Sequence, residues 1–150
     1  MRTILTTLCF LIASMTAPFA FQVVEQFTPD NVDSVRVNIK DGAKEGCWTN
    51  LGEVKRYAED KLEIAGYAVA SKDMQRTAKS FELAISVNSG RGVANGCYGS
   101  VAFQIYTPRW VDGMYGHFVV GSGGAVFSGQ INTNQLVLEY LQGFFDAFPK

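Results

Sequence analysis

Residues 81–107, FELAISVNSGRGVANGCYGSVAFQIYT, decide the fold. Phe81, Leu83, Ile85 and Val87 recur at every second position, and Val101, Phe103 and Ile105 do the same after a break. A period of two puts each set on one face of an extended strand. The segment between them, SGRGVANG at 89–96, is built of residues that turn, so the strands are expected to pair as an antiparallel hairpin. Its eight residues exceed a tight turn, which marks it as either mobile or used.

Upstream, SVRVNIK at 34–40 alternates Val35, Val37 and Ile39 with Arg36, Asn38 and Lys40, the pattern of a half-buried strand. NLGEVKRYAEDKLEIAG at 50–66 is a helix. Asn50 can cap it with Glu53 three residues on in a capping box, and Gly66 can end it in the left-handed conformation. Leu51, Val54, Ala58, Leu62 and Ala65 share one face; Lys55 with Glu59 and Arg56 with Asp60 are solvated i,i+4 pairs on another. YAVAS at 67–71 reads as a short strand, followed by the polar connection SKDMQRTAKS.

Downstream, Pro108 in PRWVDGMYG (108–116) is expected to interrupt the sheet. HFVVGSGGAVFSG (117–129) resumes it, as one bent strand or two short ones, with its glycines accommodating close backbone approach. NTNQLVLEYLQGFFDAF (132–148) is a terminal helix with Val137, Leu141, Phe144 and Phe148 on one face. The order β-α-β-β-β-β-α predicts an α+β two-layer sandwich: an antiparallel-rich sheet of 4–5 strands with two helices on one face.

The first twenty residues differ from the rest. Arg2 precedes the uncharged run TILTTLCFLIASM, and TAPFA follows with small residues at Ala17 and Ala20, which predicts a signal peptide at 1–20 and a single domain at 21–150. The apolar run is shorter than the roughly 20 residues a spanning helix needs, so no stable membrane anchor is expected after cleavage. Cys9 follows TTL instead of a small-residue lipobox, which argues against lipidation there. Thirteen basic and fourteen acidic residues, without a block of either, leave no electrostatic footprint for nucleic acid.

Export leaves two cysteines, Cys47 in EGCWTN and Cys97 in NGCYGS, and an even pair in an oxidising compartment is read first as a disulfide. A metal centre would need more ligands than these two thiols and His117, the only histidine, so neither metal nor cofactor is expected. A Cys–His nucleophile pair would require a thiol that oxidation removes. The glycine run GSGGAVFSG fits neither G-x-S-x-G nor G-x-G-x-x-G, and the carboxylates are scattered. Nothing here predicts an enzyme; one using His117 or a free cysteine is the least favoured alternative.

Aromatic residues give the positive functional signal. Trp48, Tyr106, Trp110 and Tyr115 lie in or beside loops and strand ends, where rings of this type serve binding surfaces. Trp110 and Tyr115 are the least explained by the sheet pattern. The order of elements over 35–148 resembles small periplasmic domains such as those of the lipoproteins that activate penicillin-binding proteins. It also resembles secreted bacterial domains in which a cysteine opens the first helix and a run like GGAVFSG precedes the last. The export signal and these aromatic rings together predict a periplasmic or secreted, non-catalytic module that binds a protein of the cell envelope through its sheet or its 108–116 loop. The alternative is a pocket for a small apolar ligand between sheet and helices. Oligomeric state is not predicted.

Overall fold

The structure, a computed structural model, describes residues 21–71 and 73–149. The expected signal peptide, with Cys9, lies outside these residues. The elements are β1 (Gln22–Val23), a 3-10 turn (Pro29–Asn31), β2 (Ser34–Ala43), α1 (Leu51–Ile64), β3 (Ser80–Arg91), β4 (Cys97–Val111), β5 (Met114–Gln130) and α2 (Asn134–Asp146). They form one five-stranded sheet in the order β1-β5-β4-β3-β2. Neighbours are antiparallel except β2 and β3, which run parallel because α1 carries the chain back between them. The α+β class with two helices over a largely antiparallel sheet is thus as expected.

The core lies between sheet and helices. Val35, Val37, Leu83, Ile85, Val87, Val101, Phe103 and Ile105 face Val54, Ala58 and Leu62 of α1 and Val137, Leu141 and Phe144 of α2. These are the positions the two periodicities pick out. Lys55 and Glu59 pair at 3.0 Å on the outer face of α1, and Gly66 takes φ +88° just past its end.

Several local expectations are corrected. Asn50 does not cap the backbone of α1: its Nδ2 donates to Glu53 Oε2 (2.9 Å) and to the Asn134 carbonyl (3.4 Å), joining the starts of both helices. The strand expected at 67–71 shrinks to one parallel bridge between Val69 and Val35. Arg36 explains why, because its Nη2 donates to the carbonyls of Ser71 (3.0 Å) and Met74 (3.3 Å) and ties that chain into turns instead of a ladder. The loop after β3 is also shorter than expected. β3 and β4 stay paired to Arg91 and Cys97, and residues 92–96 close on a Gly92 N–H to Gly96 carbonyl bond of 2.9 Å.

Pro108 does not interrupt the sheet. β4 pairs with β3 only as far as Tyr106, and beyond it β4 has β5 as its sole partner, so a residue without an N–H fits there, opposite His117. The strands continue to Asp112 and Gly113, both at positive φ (49° and 78°), the two-residue turn that Asp-Gly favours. The glycine-rich segment is accordingly one strand, β5, with two irregularities in its pairing to β4. Its glycines make room for the start of the chain: a Cβ on Gly123 would stand 2.0 Å from the ring of Phe21, which packs edge-on against Phe144 at 5.7 Å.

Candidate functional site

β4 carries the two candidate regions at its two ends, about 40 Å apart along the strand. At the first, Cys97 is bonded to Cys47 across a sequence separation of 50, with both residues buried. Thr133 donates its N–H (2.8 Å) and hydroxyl (2.9 Å) to the Cys47 carbonyl, and Asn134 accepts from the Thr49 N–H at 3.0 Å. Arg91 adds a clamp, giving Nε to the Glu45 carbonyl and Nη1 to that of Asn95. Trp48 lies here, inside the core. Such a bond suits an oxidising compartment.

At the far end the β4–β5 hairpin outruns both helices. Trp110 and Tyr115 are direct cross-strand neighbours with rings 5.3 Å apart. Exposure is 72% for Trp110, 71% for Met114, 59% for Tyr115 and 57% for Phe118. These large apolar side chains stand open and close together, a contiguous exposed patch. Alternation along the strands divides them. Trp110, Tyr115 and His117 lie on the sheet face away from the helices, whereas Phe118 is on the opposite face, where Arg109 sits over its ring at 5.7 Å.

The outer-face rings continue inward. Tyr115 meets His117 edge-on at 6.5 Å, and His117 stacks on Tyr106 at 4.3 Å. Tyr106 is buried and donates its hydroxyl to Glu82, a carboxylate only 8% exposed. Asn38 Nδ2 also donates to Glu82 (2.8 Å), Arg76 pairs with it at 3.3 Å, and Lys40 lies over the Tyr106 ring at 5.7 Å. Burial alone would raise the Glu82 carboxyl, but the hydrogen bonds from Tyr106 and Asn38, with the charges of Arg76 and Lys40, hold it below its usual value. The Tyr106 phenol is pushed up to about 12, by burial first and then by donating to Glu82. At neutral pH the carboxylate stays ionised and the phenol protonated, so neither is tuned to exchange a proton there.

The structure therefore brings together three of the four aromatic candidates, Tyr106, Trp110 and Tyr115, and sets Trp48 apart at the disulfide end. Glu82, Asn38, Arg76 and His117 complete the outer-face row without having been singled out as part of it by the sequence. Among the described residues no three His, Cys, Asp or Glu side chains gather to hold a metal ion, and no helix is long and apolar enough to cross a membrane.

No family model matches the chain, and no curated protein matches it either. Among solved structures it is similar in fold to the PelC dodecamer from Paraburkholderia phytofirmans, at 14% identity and TM-score 0.53, over 87% of this chain and 99% of that one. A variant of the same dodecamer gives a TM-score of 0.49 at 14% identity over the same shares. The resemblance expected to activators of penicillin-binding proteins finds no support in the likeness to that dodecamer.

Proposed function

We propose that this chain is an exported, non-catalytic domain, periplasmic or secreted, that binds a protein partner of the cell envelope through the tip of its β4–β5 hairpin. One observation carries the reading: Trp110, Met114, Tyr115 and Phe118 stand exposed on a hairpin that reaches past the helices. Aromatic residues of this kind anchor protein interfaces because they exclude much water for little lost side-chain entropy. The row behind them supports the same view. Tyr106, bonded to Glu82 and stacked on His117, holds the base of the tip in one arrangement, so the surface is ordered before a partner arrives.

The test is capture from envelope extracts with the disulfide intact, comparing the native chain with Trp110→Ala/Tyr115→Ala. A specific partner retained by the native chain and lost by the double variant is the expected result. Capture indifferent to the substitutions would overturn the assignment to the tip, and no capture above background would overturn the role. PelC, similar only in fold, is described as a dodecamer, so a second copy of this chain is one partner to examine. Light scattering of the purified domain checks it directly.

A further inference from the structure

The helix-side face of the same hairpin bounds a different feature. Beyond the cover of the helices, β4 and β5 meet the segment after β1 around an open cleft of about 470 Å³. Its walls are Val24, Phe27, Val32, Phe81, Phe118 and Val120, and Arg109 stands at the rim. Phe27, Val32 and Val120 are buried, so the floor belongs to the packed core, while Val24 and Phe118 are open to solvent and form the lips.

Two properties of the cleft define what it can hold. First, the backbone N–H groups of Val24, Phe27, Asn31 and Val32 are all used within the protein, donating to the carbonyls of Val120, Val24, Thr28 and Pro29. The Asn31 amide likewise donates to the Gln26 carbonyl and the Thr28 hydroxyl. Apart from exposed Gln26, this wall presents apolar side chains and backbone N–H groups that are already engaged. Second, Arg109 brings a permanent positive charge to that surface. Among the described residues its Nη2 donates to the Ala78 carbonyl at 3.2 Å, and no carboxylate lies within ion-pair range. Stacking on Phe118 fixes the guanidinium at the lip. An apolar trough with a single uncompensated cation at its rim matches a molecule with an apolar tail and an anionic head.

We infer that the cleft bounded by Phe27, Phe81, Phe118 and Arg109 is a binding site for a small anionic amphiphile of the fatty-acid class, tail in the trough and carboxylate on Arg109. The site shares only Phe118 with the proposed partner surface and is read out by small-molecule binding, so it stands or falls independently of partner capture.

The test is calorimetric titration of the domain with dodecanoate, dodecanol and dodecyltrimethylammonium, each below its aggregation threshold. Dodecanoate is expected to bind saturably at one site, at least about tenfold more tightly than the cationic amphiphile. Arg109→Gln, an exposed change, is expected to weaken dodecanoate about tenfold and leave dodecanol unchanged. Val24→Trp, which fills the mouth from a solvent-exposed position, is expected to weaken both, with the melting temperature read alongside to confirm folding. Non-saturable uptake of dodecanoate, equal affinity for the two charged heads, or an Arg109→Gln variant that binds dodecanoate unchanged would each overturn the assignment.

Discussion

The two ends of β4 are built to opposite rules. At the Cys97 end the chain is restrained by a disulfide, by Arg91 donating to the carbonyls of Glu45, Asn95 and Ile131, and by two helix starts joined through Asn50, Thr133 and Asn134. At the Trp110 end β4 has β5 as its one neighbour, and Trp110 stands open to solvent with Met114, Tyr115 and Phe118 of β5. The same strand supplies both, so the difference comes from where α1, α2 and β3 stop. Where the sheet is covered, aromatic residues such as Trp48 and Phe103 fill the core. Where the hairpin runs on past β3, Trp110 and Tyr115 remain on the surface.

That contrast predicts a graded set of responses. The largest concerns the restrained end: Cys47→Ala/Cys97→Ala opens a loop with sequence separation 50, which in the chain-entropy model costs about 4 kcal/mol and lowers Tm by on the order of 15 °C. Calorimetry of the oxidised and doubly substituted proteins measures it, and a drop of only a degree or two would show that the hydrogen bonds alone secure this end.

Glu82 lies between the extremes. Glu82→Ala strands the Tyr106 hydroxyl and the Asn38 amide, with an expected loss of about 2–3 kcal/mol in urea unfolding. Its pH dependence has a definite sign. The folded carboxyl titrates below its unfolded value, so its stabilisation is present above the ordinary glutamate range and is lost as pH falls through the lowered folded value. Unfolding curves of Glu82→Gln are expected to lack that part of the acid loss. A parallel acid slope in native and variant proteins would remove Glu82 from the account.

A smaller effect is expected where β1 meets β5. Gly123→Ala forces the Phe21 ring aside and should cost about 1–2 kcal/mol, but little once Phe21→Ala has emptied the space. Additive losses in that double-mutant cycle would mean the glycine serves only its own backbone. The smallest stability change belongs to the open end: Trp110→Ala and Tyr115→Ala remove one cross-strand pair, worth up to about 1 kcal/mol. A Tm loss approaching that of the cysteine variant would show the hairpin to be structural after all.

Much of this architecture was legible in the sequence, because it rests on local periodicity. Val137, Leu141, Phe144 and Phe148 face the core as their helical spacing requires, and the paired strands follow the alternation of 81–87 and 101–105. Asp112-Gly113 is itself a strong hairpin signal, but Pro108 concealed it, since a proline is excluded only where a strand has partners on both sides. The candidate site was less legible. Trp48 and Trp110 have similar settings in the sequence, and only the ends of the helices decide which one is buried. Glu82 meets Tyr106 across 24 residues and Asn38 across 44, contacts that follow from strand register and from no local pattern. The glycines of β5 were expected to serve close approach, yet the ring that approaches them comes from the other end of the domain.

That last contact sets an order of events. Gln22 and Val23 pair with Ser122 and Gly121, and Phe21 rests between Gly123 of β5 and Gly143 of α2. The first described residues to be synthesised therefore have no place to settle until almost the last have been made. Pairings this distant in sequence form slowly, because the intervening chain must be gathered first. The first of the five strands is thus the last to find its place, and the sheet is closed from its beginning.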